Sequence, residues 1–85
     1  MPRRHIFHST LTRRGWEVRE GGESLSQHHS QKECERAAIA AARRDCRQGL
    51  LAEVVLHKRD GSVRVQRSFA TVISGGQMSP KPVVQ

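Results

Sequence analysis

Residues 30–47, SQKECERAAIAAARRDCR, carry the one long helical pattern in the chain, and every other segment must find its place around it. Ser30 followed by Glu33 is a capping box: the Ser hydroxyl accepts the Glu33 amide hydrogen, and the Glu33 carboxylate can reach back to the Ser30 amide. Between Ala37 and Ala42 only Ile39 is not alanine, the strongest helix former. Gly49 supplies the left-handed residue that closes a helix, and Arg43, Arg44 and Arg47 sit where the helix dipole favours cations. The apolar contact of a Schellman closure is missing, because Leu50 would face Asp45.

At about 100° per residue, Cys34, Ala37, Ala38, Ala41, Ala42 and Cys46 fall on one broad arc. The side chains on that arc are small, so the helix can lie close to whatever it covers. Lys32, Arg36, Arg43 and Arg47 fall on the opposite side, with Ala40 in the gap. This line reads as a cationic ridge for phosphates, and also as the ordinary solvated face of a surface helix.

With 85 residues the chain can build one small domain with a modest core. Its aromatic residues are Phe7, Trp16 and Phe69, so Trp16 must supply much of the large-area burial. A homodimer would bury more. The net charge is +7, and Arg provides 12 of the 15 basic residues, spread along the chain. That balance favours a polyanionic partner: nucleic acid, anionic lipid heads or an acidic protein. Cys34 and Cys46 are twelve residues apart on the helix, about 18 Å along its axis, too far for an internal disulfide. Reduced thiols suit a cytoplasmic protein. No segment approaches the length of a membrane span, and Met1-Pro2-Arg3-Arg4 reads as a polar start, not a signal peptide.

The expected organisation is a disordered N-terminus over 1–4, a single domain over 5–73 and a disordered tail over 74–85, where two Pro and two Gly argue against a folded element. His5 to Thr10 reads as a strand whose inward residue is either Ile6 or Phe7. Thr12 to Gly15 is a turn with a basic tip, Arg13 and Arg14. In Trp16 to Glu20, Trp16 and Val18 face one way, Glu17 and Arg19 the other. Ser24 to His28 reads as a short third strand with Leu25 inward. After the helix, a strand over 53–59 meets Asp60-Gly61, a type I′ hairpin signal, and returns over 62–69. A two-residue loop would set Leu56 opposite Val65 and His57 opposite Arg64. Val54, Leu56, Val63 and Val65 then share one face, and Val55, His57, Arg64 and Gln66 the other. The predicted fold is α+β, in the order β-β-(β)-α-β-β: an antiparallel sheet with the helix on one face, over Trp16, Val18, Val54, Leu56, Val63 and Val65. The second face would be open to water or a partner.

Several segments in this order are familiar: the histidine-containing strand His5 to His8, Gly15-Trp16-Glu17-Val18-Arg19-Glu20-Gly21, Ser30-Gln31-Lys32-Glu33 opening an alanine-rich helix, and Glu53 to Arg64 with His57-Lys58-Arg59-Asp60-Gly61-Ser62-Val63. Together they resemble the small bacterial domain-of-unknown-function family numbered 2188, over about residues 5–69. The resemblance implies a small soluble bacterial domain and brings no activity. The loop before Gly15 and the junction from Gln48 to Ala52 are longer than the family pattern.

No catalytic residue, metal or cofactor is expected. His5, His8, His28, His29 and His57, with Cys34 and Cys46, do not form the two close ligand pairs of a structural zinc site. His5 and His8 would point to opposite faces. Cys34 lies in the first helical turn, where a dipole can activate a thiol, but also on the apolar arc, where a buried small side chain belongs. Glu17, Glu20, Glu23, Glu33, Glu35, Asp45, Glu53 and Asp60 read as surface, cap or turn residues. Gly21-Gly22 and Gly75-Gly76 lack the strand–helix context of a phosphate loop. The expected function is therefore a binding module with sequence-independent affinity for nucleic acid or another polyanion. Its candidate residues are Lys32, Arg36, Arg43 and Arg47 on the ridge, Arg13 and Arg14 in the first loop, and Arg19 and Arg64 on the open sheet face. The alternative is a protein-interaction or self-assembling module that uses the open face or an edge strand.

Overall fold

The structure is a computed structural model that describes residues 4–74 and 77–84 in backbone and residues 4–70 in side chains; residues 1–3, most of the expected N-terminal disorder, lie outside the described residues. The elements are β1 (Arg4–Thr12), β2 (Gly15–Glu20), β3 (Glu23–His28), α1 (Gln31–Arg47), β4 (Leu51–His57), β5 (Val63–Ser74) and β6 (Gln77–Val84). The class is α+β, as the patterns require. Both predicted ends of α1 are in place. Ser30 Oγ accepts from the Glu33 amide at 3.2 Å. At the other end Gly49 N donates to Cys46 O and Leu50 N to Asp45 O, each at 3.0 Å, the backbone pattern of a Schellman closure, with Gly49 at φ +84°.

The strand order is β3-β2-β1-β4-β5-β6, and β1 pairs with β4 in parallel. The sheet is therefore mixed, which corrects the expectation of an antiparallel one. The cause is topological. Two hairpins make β1 and β3 run the same way, and α1 carries the chain back. The next strand then runs in the direction of β1 and β3, so it can join either edge of the meander only in parallel. An all-antiparallel sheet would have required the third strand to be absent.

The helix lies mainly over β1 and β4. Cys34, Ala38, Ala42 and Cys46 are fully buried, and Phe7, Trp16, Val18, Ala52, Val54, Leu56 and Phe69 complete the core. Phe7, not Ile6, takes the inward position. All three aromatic residues are buried, Trp16 to 6% exposure. Leu25 lines a groove beside Ala37 and Ala41 on the helix side, yet stays 47% exposed because β3 is the edge strand.

The second hairpin differs from the predicted two-residue type I′ loop. Only Gly61 has positive φ among its turn residues. Gly61 N donates to Lys58 O and Lys58 N to Ser62 O, which is a type I turn closed by a glycine bulge. The Asp60 carboxylate accepts from the Ser62 amide at 2.9 Å and the Ser62 hydroxyl at 2.6 Å, which stabilises this form without left-handed strain at Asp60. Leu56 pairs with Val65 as expected. A bulge then sets His57 opposite Val63 rather than Arg64, and Val63 is left 53% exposed. The expected tail over 74–85 is also revised: Ser74 ends β5, and Gln77–Val84 pairs antiparallel with it as β6, with Gly75, Gly76 and Gln85 outside the described residues. Pro80 and Pro82 are two apart, so their missing donors face the same side, and an outermost strand accommodates both at its open edge.

The close approach of α1 makes a packing prediction. Ala38→Leu should lower stability by about 1–3 kcal/mol, because extra methylenes have no room at a position with 0% exposure. Ala40→Leu, on the exposed side, should change it by less than about 0.5 kcal/mol. Urea unfolding of both variants checks this; equal effects would mean that α1 does not lie close to the sheet.

Candidate functional site

Lys32, Arg36, Arg43 and Arg47 are all exposed on the outer side of α1, as is Arg44, which the sequence pattern had placed only at the helix dipole. None of the five has an ion-pair partner among the described residues; of the three acids on α1, Asp45 and Glu35 are engaged by other partners, and Glu33 is exposed at the first turn. Asp45 is held by His5, with Nδ1 at 2.6 Å from Oδ2. Glu35 is held by Arg64 and also accepts from Gln31. The result is a line of unpaired cations about 22 Å long from Lys32 to Arg47.

The other predicted basic residues do not join it equally. Arg13 is exposed at the tip of the β1–β2 turn. Arg14, with 68% of its side chain exposed, reaches Glu17 Oε2 at 3.2 Å and lines a small cavity with Gln27, His28 and His29, at the end of the domain where α1 begins. Arg19 lies on the sheet face opposite the helix but is engaged: Nη1 donates to Glu17 Oε1 at 2.9 Å and Nη2 to Gly22 O at 2.7 Å. Arg64 is not on that face as expected. The bulge beside His57 turns it toward α1, where it meets Glu35.

The face opposite the helix was expected to be open, and it is partly sealed by its own side chains. Glu17 is fully buried and Glu53 is 5% exposed, which corrects their reading as surface residues. Glu17 accepts from Gln27 at 3.0 Å as well as from the two arginines. The Gln27 bond first, then Arg19 and Arg14, hold its carboxyl below the usual range against the opposing effect of burial. Glu53 Oε1 accepts from Gln66 and Ser68.

What stays accessible on this face is a cleft of about 540 Å³, lined by Arg4, Ile6, His8, Thr10, Arg19, Glu20, Gly21, Gly22 and His57. Parallel pairing places His8 opposite Val55, one step from His57 on the same face, and antiparallel pairing places it opposite Arg19. His8 Nδ1 lies 2.9 Å from His57 Nε2, and the rings stack with centroids 5.2 Å apart. His57 Nδ1 is 2.9 Å from Gly61 O. A carbonyl can only accept, so His57 carries its proton on Nδ1 and presents a bare Nε2 when neutral. His8 must then donate from Nδ1, which leaves its own Nε2 as a lone pair. Burial first, then His57, push the His8 imidazole below its ordinary range, against a smaller pull from Glu53. The sequence reading saw both histidines but did not join them, because the inward face of β1 was unresolved.

Cys34 and Cys46 are buried and unbridged, and burial raises the Cys34 thiol pKa, which suits a core residue. Among the described residues no three His, Cys, Asp or Glu side chains gather as a metal site, and no helix is long and apolar enough to cross a membrane. The family model described as "Uncharacterized protein conserved in bacteria (DUF2188)" matches residues 7–69. No curated protein and no solved structure matches the chain at a significant level.

The Glu17 network sets an acid dependence. Its folded pKa lies below the unfolded one, so its contribution is full above the unfolded carboxylate range and is lost as pH falls through the folded value. Glu17→Gln should unfold at lower urea than the parent at neutral pH, and the gap should close on acidification. A gap that is constant with pH would contradict the assignment.

Proposed function

The chain belongs to the family described as "Uncharacterized protein conserved in bacteria (DUF2188)", and from that premise, which supplies no activity, we propose a non-catalytic cytoplasmic module that holds nucleic acid by its phosphate backbone without reading sequence. The observation that carries this reading is the outward side of α1: Lys32, Arg36, Arg43, Arg44 and Arg47 are exposed and unpaired, while Glu35 and Asp45 are engaged elsewhere. Arg binds phosphate in a planar fork, and a straight row of cations matches a backbone better than a base edge. Arg13 extends the charge at the end where α1 begins. No aromatic side chain stands on this side for base stacking, since Phe7, Trp16 and Phe69 are all in the core. Two buried, unbridged thiols accord with a reducing compartment.

A second reading rests on β3. It is an outermost strand without proline, and its own Leu25 is half exposed, so another chain could pair along it.

Binding of labelled duplex DNA, followed by fluorescence anisotropy over a salt series, tests the first reading. Five phosphate contacts would give a slope of log K against log salt of roughly −4 to −5. Arg36→Glu, Arg43→Glu and Arg47→Glu combined should abolish binding at near-physiological salt. Unchanged binding would remove the ridge from the mechanism, and no binding by the parent chain would leave the β3 edge as the better candidate.

A further inference from the structure

We propose that the cleft around His8 and His57 is a binding site for a small protonated oxyanion, the hydrogen-phosphate form of a phosphate monoester. This inference is independent of the nucleic-acid reading, which uses the other side of the molecule.

The lining sets guanidinium donors against an imidazole acceptor whose proton position is fixed. The Arg19 guanidinium is held in place by Glu17 and the Gly22 carbonyl. Those bonds use two of its five donor hydrogens and leave three for a ligand. Arg4 lines the same cleft and has no ion-pair partner among the described residues. The acceptor is His8 Nε2, left bare by the relay from the Gly61 carbonyl through His57. A fully deprotonated oxyanion would set its lone pairs against that nitrogen. A hydrogen-phosphate group would not: its P–O–H donates to His8 Nε2 while its other oxygens accept from Arg19 and Arg4. A phosphate monoester takes up such a proton within about one pH unit of neutrality, with a second pKa of about 6, whereas a simple carboxylate does so only near pH 4.

The surrounding charges fit one such group. Two guanidiniums face the cleft against the single carboxylate of Glu20. The Glu17 charge is held by Arg14 and Arg19, and Glu53 is bound by Gln66 and Ser68. At about 540 Å³ the cleft is larger than a phosphate group, and Ile6 offers an apolar wall to the organic part of an ester. The histidine pair lacks a third metal ligand among the described residues.

The test is NMR of the histidine ring protons in the full chain, titrated with inorganic phosphate, phenyl phosphate and sulfate. The expected result is a saturable shift at both His8 and His57, tightest for phenyl phosphate and at least about tenfold weaker for sulfate, which carries no proton near neutrality. Phenyl phosphate affinity should fall by about tenfold per pH unit once the pH exceeds the monoester pKa of about 6, because one proton accompanies the ligand. His8→Phe, which keeps a ring but removes the acceptor, should abolish the His57 response with the Trp16 emission unchanged. The combined Arg36, Arg43 and Arg47 reversal should leave phosphate binding intact. No saturable shift, equal shifts with sulfate, or binding retained in His8→Phe would overturn the proposal.

Discussion

The parallel pairing of β1 with β4 is the contact on which the rest of this domain depends. It places the centre of the sheet under α1, so that a helix face of Ala and Cys can lie directly on Phe7, Val54 and Leu56. It sets His5 beside the last turn of α1, where His5 and Asp45 tie strand to helix. On the reverse face it brings His8 within hydrogen-bonding distance of His57, although 49 residues separate them in the chain. Small side chains on the helix are the condition for all three, since larger ones would lift α1 away and dilute the burial that a short chain can provide.

Charge is sorted by the same architecture. Five of the eight acids hold the fold: Glu17 and Glu53 lie buried on the reverse face, Asp45 and Glu35 face their partners, and Asp60 shapes the hairpin turn. The cations on the outer side of α1 have no such duty. Five cations of a chain with net charge +7 thus stand together on one helix surface. A buried carboxylate such as Glu17 is retained only because three donors satisfy it, and its loss would leave Arg14 and Arg19 free to move.

How much of this was legible in the sequence depends on how local the determining force is. The helix and its caps follow from residues within one or two turns, and both ends lie where Ser30 and Gly49 require. The buried arc of α1 and the pairing of Leu56 with Val65 follow from periodicity. The mixed sheet was not legible, because it turns on whether the weak pattern Ser24 to His28 is a strand. Once that strand exists, the parallel pair is forced. The hairpin bulge was hidden because Asp60 is stabilised by Ser62 rather than by a left-handed turn, and that single shift moved Arg64 from the predicted sheet face to Glu35. The histidine pair and the buried carboxylates were invisible for one reason: each depends on neighbours brought together across strands, and strand order is the least local fact in a fold.

On the proposed reading the outer helix face takes a phosphate backbone and the reverse sheet face does not. Mapping amide chemical shifts of the full chain against a short duplex of mixed sequence, at near-physiological salt, tests that separation most directly. The predicted map follows Lys32, Arg36, Arg43, Arg44 and Arg47 and reaches the β1–β2 turn at Arg13, with Val55, Gln66 and His8 silent. Shifts centred on Val55, Gln66 and His8, or no shifts at all, would contradict it.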